Sequence, residues 1–320
     1  MIDMLIYPKV NIQYPMSLER EYARELVKYV RKVRDICIKR IPIMVEAVAA
    51  NAIHKDEWTE ETTDEVESDI EEEIAIAAVI LAMYNRIRIW NTRQQEKIFQ
   101  SMFGGKPTRG QMTPATLRKI GEFIGQTPDF YDKEGKIIPE KLKLFQQKYS
   151  EIVKALPSTI SQADYDKIRE IWVNRNIELI HSIDRRTIES IRYTLGENII
   201  KAVDNKTVAA ELKDTIVRMA EVNEKRAALI ACDQVGKLNS QLTQLEQMSQ
   251  GVEKYKWQTM EDSRVRPQHQ SYNKKDFSWS EPPDGGHPGW SYRCRCTAIP
   301  LYDTDKIGLQ PKAGTYKAVR

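Results

Sequence analysis

The chain has 320 residues, of which 49 are basic and 46 acidic, giving a formal net charge of +3. This balance offers no global electrostatic case for a nucleic-acid partner, and a composition of 41% hydrophobic and 30% charged residues excludes a globally disordered chain. Four cysteines in this length do not make a disulfide framework, so we expect folding in a reducing cytoplasm.

Long helices are predicted for the first part of the chain. Ser17 is a suitable N-cap, apolar residues recur at helical spacing from Tyr22 to Ile36, and Pro42 is expected to end or kink this helix. A second helix is predicted from "TTDEVESDIEEE" through the apolar run "IAIAAVILAM" at 74–83. This run is about half of the ~20 residues that a membrane-spanning helix needs. We therefore expect a buried helix and no membrane partner.

Two segments rich in Gly and Pro interrupt the helical pattern. They are "GGKPTRGQMTP" at 104–114 and "QTPDFYDKEGKIIP" at 126–139. We therefore predict an N-terminal helical arm at residues 1–125 and a linker and loop at 126–155. Beyond the linker, Ser161 and Asp164 have the spacing of a capping box at the start of another helix.

The remaining helices and strands are predicted as follows. Two helices are expected at 207–222 and 224–248, after which aromatic, Gly and Pro residues become frequent. "KYKWQTM" and "RCTAIPLY" have the composition of strands that pair with each other. The predicted fold class is mainly α, with long N-terminal helices followed by a small α+β C-terminal domain of short strands.

Cys294 and Cys296 form a C-x-C pair near the C-terminus. Together with Asp262, His269 and His287 they offer sulfur, nitrogen and oxygen donors of the kind that zinc accepts. Two alternatives stay open, because the thiols could pack as small hydrophobes, or form a disulfide that this spacing would strain. Zinc is therefore a candidate cofactor, and none is assigned with certainty.

The stretch "EDSRVRPQH" places an aspartate among arginines at a turn. Ion pairs between Asp262 and the arginines would hold this loop in one shape. Contacts with phosphates and a metal-dependent nuclease site are the alternatives. The candidate DNA-contacting residues are Arg264, Arg266, Arg293 and Arg295. No catalytic residue is assigned, since the sequence has no phosphate loop ending in G-K-[ST], no G-x-S-x-G and no H-E-x-x-H.

Three ordered stretches carry a family resemblance. They are "RAALIACDQVGKLNSQLTQLEQ", "YKWQTMEDSRVRPQH" and "HPGWSYRCRCTAIP". Their order and spacing resemble phage Mu F-like head-morphogenesis proteins, also called minor head proteins. Cys232 stands where an arginine is usual, and Asn273 and Lys274 stand where a small residue and Gly are usual. The residues that form the structural motif are Trp257, Asp262, Arg264, Arg266, Pro267, His269, Cys294 and Cys296.

The resemblance covers about residues 160–302, so we place a head-morphogenesis domain at 156–302 and a C-terminal tail at 303–320. It implies a non-enzymatic virion protein that acts in procapsid or head assembly at the portal vertex, and in DNA packaging or delivery. The expected partners are the portal protein, the major capsid or scaffold proteins, and phage double-stranded DNA. The expected location is the capsid interior or portal vertex, after assembly in the host bacterial cytoplasm.

The helical arm at residues 1–125 lies outside the resemblance, and we expect it to dock on the portal or the inner capsid. Two other functions are kept as alternatives. One is a nucleic-acid-binding module that contacts packaged DNA, and the other is a metal-dependent nuclease.

Overall fold

The computed structural model describes residues 5–50, 63–70, 76–104, 162–201, 204–304 and 311–319. Apart from Gly104, the two predicted loops lie outside these residues. Ser161 and the predicted domain boundaries near residues 125 and 155 also lie outside them.

Four long helices dominate the described residues. They are α1 (Met16–Ala50), α2 (Ile76–Phe103), α3 (Gln162–Lys201) and α4 (Asn205–Ser249), and residues 63–70 are also helical. The predicted apolar face of α1 is buried from Tyr22 to Ile36. The helix does not end at Pro42, which lies inside it.

Helix α4 is continuous where the sequence predicted two helices. The residue at the predicted break is Asn223, which is buried and donates through Nδ2 to Thr187 Oγ1 on α3 at 3.0 Å. The amide N–H of this polar side chain has a partner on a neighbouring helix, and this bond favours a helix that continues through the position.

One antiparallel sheet contains all the described strands. They are β1 (Leu5–Pro8), β2 (Lys254–Gln258), β3 (Asp276–Ser278), β4 (Thr297–Asp303) and β5 (Tyr316–Ala318), in the order β3-β2-β4-β1-β5. The predicted pairing of β2 with β4 is confirmed, with Trp257 opposite Ala298. A short helix, α5 (Pro267–Tyr272), lies between β2 and β3. The predicted fold class is therefore confirmed.

Strand β1 was not predicted from the sequence. Its Ile6 is fully buried and lies opposite Tyr302 of β4 and Ala318 of β5. Residues Leu5–Pro8 therefore join the sheet between two C-terminal strands, β4 and β5. The predicted domain limit at residue 302 lies inside β4, and β5 lies within the predicted tail.

The chain divides into two compact units. One comprises Met16–Arg86 and Arg169–Val235, and the other comprises Met1–Pro15, Ile87–Ile168 and Gly236–Arg320. In the first unit, buried hydrogen bonds join α1 to α3: Tyr22 donates to Asn176 at 2.8 Å, and Tyr29 donates to Asp184 at 2.5 Å. Buried polar groups need such partners, so these bonds fix how the two helices pair.

In the second unit, the C-terminal part of α4 supports the sheet. Gln247 donates to the Ala298 carbonyl on β4 at 2.9 Å and accepts a bond from the Trp279 indole at 3.3 Å. Tyr302 donates to Gln250 at 2.9 Å. Each of these polar groups is buried, so the helix and the sheet are matched by specific bonds as well as by apolar packing.

Helix α4 also approaches the loop at 287–296 backbone to backbone. A Cβ added to Gly236 would lie 2.8 Å from the Cys294 carbonyl oxygen, and one added to Gly289 would lie 2.8 Å from the Gly236 carbonyl oxygen. Gly289 also has a φ of +93°, which favours glycine. The two glycines therefore allow the first and third of the family-like stretches to touch.

We predict that Gly236→Ala destabilises the protein by about 1–3 kcal/mol, because the added methyl group would push against backbone atoms. The control is Gly196→Ala in α3, where a Cβ would meet nothing within 4 Å. This change should stabilise by up to about 1 kcal/mol through helix propensity alone. Denaturant unfolding followed by tryptophan fluorescence measures both, and equal stabilisation of both variants would contradict the close approach.

Candidate functional site

The candidate site lies where α5 and the segment before β4 meet β2. Pro267 begins α5 after an extended Arg266, and two backbone bonds of 2.8 Å join Trp257 to Lys274 and Lys275 just after the helix. These bonds hold the residues directly after α5 against β2. The pairing of β2 with β4 then places the residues before β4 alongside the helix.

Three side chains converge there in a cluster formed by His269, Cys294 and Cys296. His269 Nδ1 lies 3.4 Å from Cys294 Sγ and 3.7 Å from Cys296 Sγ. All three residues are buried, and the Gly289 backbone N–H donates to Cys294 Sγ at 3.3 Å. The arrangement can share a proton between sulfur and nitrogen, or hold a cation that prefers these donors.

Aromatic side chains surround this cysteine–histidine cluster. The ring of Trp257 lies 5.3 Å from that of His269 in a T-shaped arrangement and 5.2 Å from that of Tyr272. The two cysteines belong to one hydrophobic cluster with Tyr255, Trp257, Trp279 and Ala298. The packing fixes the imidazole orientation and keeps the thiols away from bulk water.

The two thiols have opposite pKa shifts because they interact directly. A hydrogen bond from Cys296 lowers the pKa of Cys294, and bonds from His269 and Gly289 add to this effect against the opposing influence of burial. The bond to Cys294 raises the pKa of Cys296, and burial raises it further. The pair therefore releases its first proton more readily than an ordinary thiol and retains the second.

The other two candidate metal ligands lie outside the cluster and have different partners. His287 Nδ1 lies 3.0 Å from the Tyr255 hydroxyl, and its ring lies 4.8 Å from that of Trp279. Burial lowers the pKa of His287 below its ordinary value. Asp262 bonds to arginines. Of the five residues considered from the sequence, the structure brings together His269, Cys294 and Cys296.

An ion pair joins the turn at 262–265 to the cysteine segment. One nitrogen of Arg295, Nη2, donates to both carboxylate oxygens of Asp262, at 2.9 and 2.8 Å. Arg264 donates to the same carboxylate through its backbone N–H at 3.1 Å and its guanidinium at 3.2 Å. Burial acts to raise the pKa of Asp262, but these hydrogen bonds outweigh it and the pKa is lowered. Asp262 therefore stays ionised and holds its turn against the cysteine segment.

The four arginines considered for DNA contact occupy different environments. The side chain of Arg295 is only 7% exposed and is committed to Asp262, whereas that of Arg264 is 64% exposed. Arg266 is exposed and donates to the Tyr292 carbonyl at 2.5 Å, and Arg293 is exposed as well. Arg295 therefore acts in the fold, and the other three have surface available for a ligand.

The turn after α5 contains the departure from the family pattern. Lys274 stands where the resemblance expects Gly, and it has a φ of +66°. Neighbouring Asn273 accepts a bond from the Thr259 N–H at 3.1 Å and donates to Glu261 at 3.1 Å. The backbone conformation that suits Gly is thus adopted by a lysine, and side-chain bonds from Asn273 hold the turn in place.

We predict that Asp262→Ala lowers the free energy of unfolding by about 1–3 kcal/mol, because the nearly buried Arg295 guanidinium loses its acceptor. The control Ser263→Ala, in the same turn, should stay within about 0.5 kcal/mol of the wild type. Equilibrium unfolding in denaturant measures both. An Asp262→Ala protein as stable as the control would contradict a stabilising role for the pair.

We also predict that Lys274→Gly stabilises the protein by about 1 kcal/mol, since it removes the unfavourable left-handed conformation of an L-residue. The adjacent Lys275 is exposed and lacks a positive φ, so Lys275→Gly should destabilise by about 0.5–1 kcal/mol through backbone entropy. Thermal unfolding of the two variants should shift in opposite directions. A shift to lower temperature in both would contradict the assigned conformation of the turn.

The comparison with protein families bears on the same residues. Residues 189–299 match the family "Phage Mu protein F like protein". This segment is similar to that family. The matched residues include the cysteine–histidine cluster, the Asp262–Arg295 pair and Gly236. The resemblance seen in the sequence is therefore confirmed for these residues.

A curated relative is an "Uncharacterized protein" from Haemophilus influenzae, 36% identical over 132 residues. The alignment covers 41% of this chain and 29% of the relative, so the chain spans less than a third of that protein's length. No solved structure matches the chain. In the part of the chain that the structure describes, every helix is too short or too polar to cross a bilayer.

Proposed function

We propose that this chain is a minor head protein that acts in phage procapsid or head assembly at the portal vertex. The observation that carries the proposal is the phage Mu F-like match over residues 189–299. The geometry supports a structural role, because His269, Cys294 and Cys296 are buried among aromatic rings and contact one another. The potentially reactive side chains thus face the protein interior and not a substrate.

The proposed protein partners are the portal and the major capsid or scaffold proteins. We place the portal contact on the N-terminal helices, in line with a docking role for residues 1–125. Ile43 of α1 and Leu81 of α2 are large apolar side chains, and each is more than two-fifths exposed. Such residues on amphipathic helices commonly become buried on a partner.

A contact with packaged double-stranded DNA is the second proposed function. Three exposed arginines on the loops around the site, Arg264, Arg266 and Arg293, favour it, because guanidinium groups bind phosphate oxygens. The nuclease alternative finds less support. Among the described residues, His269 contacts the two thiols and Asp262 is bonded to Arg295 and Arg264, so these two do not form an acid–base pair.

The experiment uses point variants of the full chain, because removal of residues 1–125 would also remove β1 from the sheet. The chain is co-expressed with the portal, scaffold and capsid proteins of the same phage. Wild-type protein should be recovered in purified procapsids and should cross-link to the portal. Leu81→Glu should reduce incorporation several-fold, because a charge then replaces the apolar contact. Asn85→Glu is the control, as it adds the same charge at an exposed polar position of the same helix.

The outcomes separate the two parts of the proposal. Soluble wild-type protein that is absent from procapsids would overturn the role in head assembly. Normal incorporation of Leu81→Glu would overturn the docking surface on α2 while leaving the assembly role intact. Quantitative mass spectrometry of the purified particles provides both results.

A further inference from the structure

We propose that His269, Cys294 and Cys296 bind one zinc ion, which joins α5 to the segment before β4. This inference does not depend on the proposed function. It rests on the geometry of three side chains from two separate parts of the sequence, since His269 and Cys294 are 25 positions apart.

The distances fit zinc ligands. Bonds of about 2.3 Å to sulfur and about 2.0–2.1 Å to nitrogen, at a tetrahedral angle, place the two ligand atoms about 3.6 Å apart. The observed separations from His269 Nδ1 are 3.4 Å to Cys294 Sγ and 3.7 Å to Cys296 Sγ. All three donor atoms lie within 4.8 Å of one another.

A hydrogen bond alone explains less of this arrangement than a bound zinc ion does. A single ring nitrogen can donate one proton, or accept through one lone pair, so it satisfies one of the two sulfurs. Here both sulfurs approach the same atom, Nδ1 of His269. Thiols that pack only as small hydrophobes need no imidazole nitrogen beside them. The structure has no disulfide between the two cysteines, and one at this i, i+2 spacing would be strained.

The surroundings of the cluster favour a bound metal ion. The Gly289 N–H donates to Cys294 Sγ, and such bonds orient a ligand and tune its charge. The T-shaped contact with Trp257 fixes the His269 ring. The nearly complete burial of all three residues suits an ion that stabilises the fold. Within the described ranges the group has three protein ligands, His269, Cys294 and Cys296.

The first test counts zinc in the full chain, purified under reducing conditions. We expect about one zinc ion per chain in the wild type, and less than about a tenth of that in Cys294→Ser, Cys296→Ser and His269→Gln. Cys232→Ser is the control. It removes a half-buried thiol on α4, outside the cluster, and should keep one zinc ion per chain. His269→Cys should also retain zinc, because it supplies a thiolate at the same position.

The second test needs only the wild type, so it remains decisive if the variants do not fold. After the metal is exchanged for Co²⁺, thiolate-to-cobalt charge transfer should appear in the near ultraviolet, with the strong visible bands of tetrahedral cobalt. Folded wild-type protein that contains no zinc, and shows neither absorption on addition of Co²⁺, would overturn the proposal. Zinc retained at full stoichiometry in the Cys294→Ser/Cys296→Ser double variant would overturn it as well.

Discussion

The contact between His269 and the two cysteines is the junction on which the C-terminal half of the protein depends. The imidazole comes from α5 and the sulfurs come from the segment that leads into β4, so the contact joins two parts of the chain that no strand pairing connects directly. Gly236 and Gly289 bring α4 against the same segment, and the Asp262–Arg295 pair ties the neighbouring turn to it. The three family-like stretches therefore meet at one place because each supplies one side of this junction.

This convergence also explains how buried polar groups are tolerated in a small domain. A buried group without a partner costs about 1–3 kcal/mol, so a core with histidine, cysteine and arginine must pair each of them. His269 has the thiols, His287 has the Tyr255 hydroxyl and Arg295 has the Asp262 carboxylate. The aromatic residues of β2 and β3 then fill the space between these pairs. The pairs satisfy the buried polar side chains that they join, and the rings add apolar packing around them.

Much of the architecture could be predicted from periodicity, whereas long-range contacts could not. The apolar spacing of α1 and the strand composition around Trp257 and Ala298 are local signals, and they identified a helix and a pair of strands. Strand β1 carries only four residues and gains its stability from partners about 300 positions away, so no local signal identified it. The continuation of α4 through Asn223 was not predicted either, because its hydrogen-bond partner on α3 is not visible in the local sequence.

In the candidate site, too, local sequence identified residue types, and long-range contacts had to come from the structure. Residue type identified the candidate metal ligands, since histidine and cysteine have few other common roles when they are close together. Only the tertiary structure shows that Asp262 and His287 lie outside the cluster and have other partners. The same holds for the four arginines, of which Arg295 faces the core and Arg264 faces solvent. The residues that carry the phage Mu F-like resemblance mainly build the domain. The proposed recognition of head proteins or DNA therefore falls to exposed side chains outside the cluster.

X-ray absorption at the zinc edge tests most directly whether the junction is a single metal-centred unit. Measured on the purified full chain, the account predicts two sulfur neighbours at about 2.3 Å and one imidazole nitrogen at about 2.0 Å, the bond lengths of thiolate and histidine ligands. A spectrum with only nitrogen and oxygen neighbours would place any zinc elsewhere on the protein, and it would contradict the account of His269, Cys294 and Cys296 as its ligands.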